Sequence, residues 1–252
     1  MLFNFREIVL LDLPAWLNDP LLDYVAVSYF LLIWIGYNVF AKRMATKTHC
    51  LASILHVHRV WWMQRMLKRE NRVADAALLA NLERNVNFFA STTMLVIAAI
   101  LTALTSSYDF TMFDSEVIGS QNSQFKLFML LAIMAYAFFS FTWSLRQFGF
   151  ASVLIGAAPD ISQLDITAKQ RKEYAYSTAQ VMDQASHAFN YGLRAYYYLL
   201  ASITWFIHPF AFMLATTWVV VVLYRREFRS KPVDVMVMDI DILKAKENNK
   251  VN

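Results

Sequence analysis

The chain has 252 residues, of which 58% are hydrophobic, 15% aromatic and 17% charged, with a mean hydropathy of +0.38. Soluble domains carry about a quarter charged residues, so this composition excludes an ordinary soluble globule; with five glycines and five prolines it also excludes a turn-rich β fold and favours long helices. The formal charge of +4 is small, and the single Cys50 excludes an intrachain disulfide.

Met1–Trp16 is a short mixed segment suited to a membrane surface, with Pro14 ending any helix in it. Arg6, Glu7 and Asp12 interrupt its apolar residues, so it does not read as a cleavable secretory signal. A first spanning helix is expected from Leu21 to Phe40, with Asp23 near one end and Asn38 near the other. At about 1.5 Å per residue this stretch covers a hydrocarbon core of roughly 30 Å.

Lys42–Arg84 is strongly basic. Leu51, Ile54, Leu55, His58, Trp62 and Met66 recur there at helical spacing and predict an amphipathic helix. Trp61 and Trp62, with Arg65, Lys68 and Arg69, suit the lipid headgroup layer; the alternative is that both tryptophans pack against the next helix. Arg69–Thr105 then predicts one continuous rod. Its first half is charged and amphipathic, and its second half, from Val86 to Leu104, is apolar enough to span.

Ser106–Gln124 holds Asp109, Asp114 and Glu116 without a Lys or Arg. A third span is expected over Phe125–Phe148, and Gly149–Pro159 reads as a small-residue turn. Thr167 and Gln170 match a capping box at the start of a polar helix. That helix runs into a fourth apolar stretch, Ala195–Tyr224, broken by His208-Pro209 and stopped by Arg225, Arg226, Arg229 and Lys231. A single kinked span is the simplest reading, and a re-entrant hairpin buried in protein is the alternative.

The expected fold class is therefore all-α: an integral membrane domain of four transmembrane helices with long cytoplasmic helical extensions. It covers residues 1–231, and a mobile polar tail covers 232–252. The positive-inside rule assigns the basic segments 42–84 and 146–194 to the cytoplasm and the acidic 106–124 loop to the outside. Four spans put both termini outside, in conflict with the basic run Arg225–Lys231.

The run WMQRMLKRENRVADAALLANLERNVNFFASTTMLVIAAILTAL resembles the uncharacterised membrane family filed as domain of unknown function 599. RQFGFASVLIGAAP and HAFNYGLRAYYYLLASITWF are similar to its later signatures. The resemblance implies a multi-pass protein of the bacterial-type inner membrane. It implies no activity, catalytic residue or cofactor.

Each span carries a polar row: Asp23, Trp34 and Asn38; Asn87, Ser91, Ala98, Thr102 and Thr105; Ala132, Tyr136, Ser140, Trp143 and Gln147; Arg194, Tyr198, Ser202, Trp205 and His208. Such rows either line a hydrated path or glue packed helices together. Asp183, His187, Asn190, Tyr191 and Arg194 form a denser cluster. It reads as a proton relay or anion site, or as a helix junction pinned by ion pairs to Glu83 or Asp75. The five histidines match no zinc-protease or haem-attachment spacing, and no phosphate loop or nucleophile elbow is present. No motif implies a cofactor. These features point to an oligomeric channel-like or transport-like protein in the lipid bilayer, or to an accessory subunit of a membrane complex. A haem- or metal-binding membrane enzyme is a third reading. Topology already accounts for the basic loops, so they do not imply nucleic acid.

Overall fold

The computed structural model describes residues 20–45, 50–105, 121–160, 166–229 and 235–237. The N-terminal surface segment, the acidic loop and most of the tail lie outside them. Among the described residues, six α-helices follow in order: α1 Pro20–Ala45, α2 Leu51–Met66, α3 Val73–Thr105, α4 Gln121–Gly156, α5 Ala168–Ile203 and α6 Pro209–Phe228. A 3-10 turn, Thr204–Phe206, joins the last two. No strand occurs among the described residues. Three stretches are long and apolar enough to cross a membrane: Leu21–Ala41, Val73–Thr105 and Ser123–Gly156.

The rod expected from Arg69 begins at Val73 and then runs unbroken to Thr105. The Asn71 carboxamide accepts from the Val73 amide at 2.9 Å and starts it. The turn expected at Gly149 is helix. α4 continues to Gly156, because Phe148, Ala151 and Ile155 all bury their side chains along that extension. Each glycine there costs roughly 1 kcal/mol of helix propensity, which the burial offsets. The capping box at Thr167 is present: Thr167 Oγ1 accepts from the Gln170 amide at 3.3 Å, and Gln170 Oε1 accepts from the Thr167 amide at 2.8 Å.

The largest difference from expectation lies at His208-Pro209. The stretch Ala195–Tyr224 is two helices that reverse direction. Proline has no amide to continue the ladder and keeps the preceding residue out of the helical region. His208 accordingly lies at φ −163°, ψ 140°, and its Nδ1 accepts from the Phe210 amide at 3.1 Å, capping a new helix. Three contacts establish the reversal: Trp205 stacks on Phe212 at 5.3 Å, Arg226 bonds the Tyr197 hydroxyl, and Arg194 lies 2.6 Å from Glu227.

α4 and α5 form the longest antiparallel pair. Lys126 Nζ donates to the Trp205 carbonyl at 3.1 Å, Ser144 Oγ to that of Ala185 at 2.7 Å, and the Tyr174 hydroxyl to that of Leu154 at 2.6 Å. α3 runs antiparallel to α4, where Phe89 stacks on Phe141 at 5.6 Å. Arg72 ties the far end of that pair to the carbonyls of Ala158 and Pro159 at 2.6 and 2.7 Å. α1 and α6 are parallel neighbours, bridged by Tyr29–Thr217 at 2.8 Å and Tyr37–Glu227 at 3.1 Å. α2 lies across α5.

The core is aromatic. Phe30, Tyr198, Trp205 and Phe212 are at most 1% exposed, and Trp34 stacks on Tyr198 at 5.0 Å. The outside is apolar too: Leu32 is 72% exposed, Leu95 72% and Trp218 68%. Such residues on α1, α3 and α6 make a surface suited to lipid rather than water.

Gly192 sits where α5 meets α4, and a Cβ there would lie 2.5 Å from the Phe141 ring. That ring is fully buried and held by Phe89, Phe189 and Tyr196, so it cannot swing away. Gly192→Ala is expected to cost about 1–3 kcal/mol by overpacking. Thermal unfolding in detergent measures this, and adding Phe141→Leu should restore most of the loss; an unchanged midpoint for Gly192→Ala refutes the close contact.

Candidate functional site

The four polar rows meet different fates. Asp23 and the α5 row face each other: Trp205 Nε1 donates to Asp23 Oδ1 at 2.7 Å, and Lys126 Nζ lies 3.9 Å from the same oxygen. Tyr198, Ser202 and Trp205 are buried in that contact, and Ser202 Oγ bonds its own helix at the Tyr198 carbonyl, 2.8 Å away. His208 caps α6. The α3 row points outward: Asn87, Ser91 and Thr102 are all exposed, and Thr102 Oγ1 donates to the Ala98 carbonyl at 3.0 Å. On α4, Tyr136 is exposed with its ring edge on Trp34, whereas Gln147 is 5% exposed. Within one chain, the rows therefore do not converge on a common axis.

The denser cluster does assemble, with partners the spacing does not reveal. Asp183 bonds not His187 but two residues of α2: the His56 ring through Nδ1 and Arg59 through Nη1, the latter at 2.5 Å. Arg194 donates to Glu227 Oε2 at 2.6 Å and to Asn38 Oδ1 at 3.1 Å, and the Tyr37 hydroxyl donates to the same Glu227 oxygen at 3.1 Å. Its guanidinium also lies over the Tyr37 and Tyr191 rings, at 5.3 and 5.6 Å. The expected anchors Glu83 and Asp75 take no part. Asp75 is fully buried elsewhere, where its Oδ1 accepts from Trp62 Nε1 at 2.7 Å and Arg69 Nη1 at 2.5 Å. Trp62 and Arg69 thus turn toward α3, while Arg65 and Lys68 stay exposed. Trp61, Met236 and Val237 all pack on Ile54.

Two cavities flank the α5 ridge, of about 350 and about 600 Å³, and both are bordered by Asp183, His187, Asn190, Arg194 and Glu227. Together they form one cleft under α2, within the range of about 300–1,000 Å³ usual for small-molecule sites. Partial burial holds the His187 pKa below the ordinary 6.5, although much of the side chain stays exposed; Asp183 opposes this, Arg59 and Arg194 add to it, and Glu227 opposes it. The imidazole is therefore neutral at pH 7. Among the described residues, no group of three or more His, Cys, Asp or Glu side chains could hold a metal ion.

His56, Arg59, Glu227, Tyr37 and Lys126 escaped the sequence reading. Two carried a signal: Glu227 is a lone acid within Arg225–Arg229, and Lys126 is a lone cation in an apolar run. The hydrogen-bond partners of these five lie between 33 and 190 residues away, so spacing alone could not pair them.

Two outcomes are expected. Glu227→Gln leaves the Arg194 charge unpaired and should cost about 2–3 kcal/mol in thermal unfolding, less than the roughly 3–5 kcal/mol of a fully buried pair because both side chains retain some exposure. Arg194→Met combined with Glu227→Leu should recover most of that loss, and additive losses would refute the coupling. His187 has a depressed folded pKa, so the unfolded chain binds more protons between that value and 6.5. Its contribution is complete above about pH 6.5 and is lost as pH falls through the folded pKa. His187→Gln should flatten the fall in melting temperature between pH 7 and pH 5; identical slopes refute it.

No curated protein and no solved structure matches the chain. A family model described as a protein of unknown function, DUF599, matches residues 25–232. The three apolar helices fit a multi-pass membrane protein, and the chain belongs to the DUF599 family.

Proposed function

We propose that this protein is a transport-like membrane protein that binds a small molecule in the α2/α5/α6 cleft. The observation that carries the reading is the asymmetry of α5. At its Trp205 end the helix is sealed by Asp23, Lys126 and an aromatic stack, whereas at its Arg194 end an ion-paired network borders an open cleft. A closed end opposite an open, charged end is the resting geometry of alternating access. We assign no catalytic role.

The same reading includes a topology. The last turns of α5 and the whole of α6 lie at the depth of α1, and the outer face of α6 is apolar, with Leu214 58% and Trp218 68% exposed. In this reading both enter the bilayer, which makes five crossings instead of four. The hairpin returns Arg225, Arg226 and Arg229 to the side of the other basic segments, removing the conflict with the positive-inside rule. Met236 and Val237 support this by packing on Ile54 of α2. The N-terminus is then outside, and α2 and the C-terminus are cytoplasmic, in a bacterial-type inner membrane.

The outward row Asn87–Thr102 suits contact with another chain, either a second copy in a homo-oligomer or a partner to which this protein is an accessory subunit. The accessory reading is favoured by the solid aromatic core, which a static scaffold would also have.

Two measurements test these readings. In a Cys50→Ser background, Lys68→Cys and Arg225→Cys should label from one side and Asp114→Cys from the other; labelling of positions 68 and 225 from opposite sides refutes the hairpin topology. Ser202→Cys, buried at the sealed end, should be unreactive alone and become reactive from the outside when Asp23→Asn weakens that seal. Protection in both backgrounds, with the protein still folded, overturns alternating access and leaves the accessory reading.

A further inference from the structure

One charged side chain, Arg146, stands on the outer face of α4 at the depth where a bilayer changes from hydrocarbon to headgroup. Near the other end of α4, Lys126 is level with Asp23 and Trp205, which it contacts. Arg146 lies twenty residues further along the same unbroken helix. At about 1.5 Å per residue that is about 30 Å, the thickness of a hydrocarbon core. The neighbouring helix gives the same level. Phe89 stacks on Phe141, and five residues from each ring, in antiparallel directions, stand Arg84 and Arg146. Trp143, one turn before Arg146 and 54% exposed, sits where interfacial tryptophans gather.

The arginine is uncommitted. Its guanidinium lies over the Trp143 and Phe150 rings, at 6.0 and 5.7 Å, and makes no ion pair or hydrogen bond among the described residues. Ring contacts spend none of its five N–H groups, whose forked edge matches the oxygens of a phosphate. Beside it, a groove of about 540 Å³ between α4 and α5 is bordered by Phe139, Ser140, Trp143, Arg146, Ala188 and Tyr191. Phe139 is 68% exposed, so the wall of the groove faces outward and is apolar. Among the described residues that border the groove, Arg146 alone is charged. The Ser140 and Thr142 hydroxyls donate to carbonyls of their own helix, at 2.8 and 3.0 Å. Tyr136 and Tyr191 bring neutral hydroxyls, which donate and accept alike. Charge, and not the direction of hydrogen bonding, therefore selects the ligand.

From this pairing of an apolar groove with an unpaired arginine at headgroup depth, we propose that the α4/α5 groove binds an anionic phospholipid. Its phosphate meets Arg146, and one acyl chain lies along Phe139 and Trp143. A zwitterionic headgroup places its cation beside an arginine that has no acid to balance it. The site needs only that α4 crosses the bilayer. It depends neither on a ligand in the cleft nor on transport.

Native mass spectrometry of the purified full chain, titrated with dioleoyl phosphatidylglycerol, phosphatidylcholine and phosphatidylethanolamine, tests it. The first phosphatidylglycerol should bind about fivefold more tightly than either zwitterionic lipid, the preference that one arginine near a membrane surface supplies. Arg146→Gln should abolish that preference. Arg84→Gln, which removes a charge at the same depth outside the groove, should keep it. Ser140→Trp, which fills the groove from α4, should weaken the first phosphatidylglycerol, and so should Phe139→Ala, an exposed change that spares the core. No preference in the wild type, equal loss in Arg84→Gln, undiminished binding in the groove variants, or equally tight binding of soluble glycerophosphoglycerol would each overturn the assignment. Alternating access is read separately by the Ser202→Cys labelling, so either reading can fail alone.

Discussion

Arg194 holds the architecture together. It lies where α5 passes from its polar to its apolar half, and an unpaired guanidinium there is expensive. The cost is met by four residues: Glu227 at 2.6 Å, Asn38 at 3.1 Å, and the flanking rings of Tyr37 and Tyr191. Glu227 reaches Arg194 only because α6 runs back along α5, and Asn38 only because α1 lies beside both. One partly buried cation thus specifies the mutual placement of three helices. Polar pairs in apolar surroundings serve in this way when the alternative arrangement strands a charge.

Between this network and the Asp23–Trp205–Lys126 contact, cohesion comes from shape. Lipid is as apolar as leucine, so helices in a bilayer gain from close packing more than from burial as such. α5 presents Ala185, Ala188, Gly192 and Ala195 as buried small residues, and Phe141 fills the space over Gly192. Hydroxyls in this region bond within the protein, as Thr93 does to the Phe89 carbonyl at 2.6 Å and Thr216 to the Phe212 carbonyl at 2.8 Å. The exception is the Tyr198 hydroxyl, buried in the aromatic middle without a partner among the described residues, as Gln147 Oε1 is at the cleft.

Polar rows that look equivalent in sequence have opposite roles. Tyr198, Ser202 and Trp205 bind α5 to α1 and α6, whereas Asn87, Ser91 and Thr102 lie on the outside of α3. Helical periodicity says that residues share a face, but not which neighbour that face meets. The same ambiguity covers the tryptophans of α2: Trp62 donates to buried Asp75, and Trp61 packs on Ile54.

Local chemistry decided much in advance. Composition and scarce Gly and Pro determined an all-helical protein, because backbone groups in an apolar run must be bonded within the run. Thr167 and Gln170 determined where α5 starts, and the uninterrupted stretch from Val73 to Thr105 determined α3, since capping and helix continuity involve only neighbouring residues. His208-Pro209 determined that the helix breaks, but not whether the chain goes on or turns back. That depended on Glu227 finding Arg194, on Phe212 stacking against Trp205, and on α1 fitting alongside. The candidate site was legible on α5 alone, in Asp183, His187, Asn190 and Arg194. His56, Arg59, Asn38 and Glu227 come from three other helices, and only tertiary packing brings them to it, because ion pairing depends on distance in space and not on position in the chain.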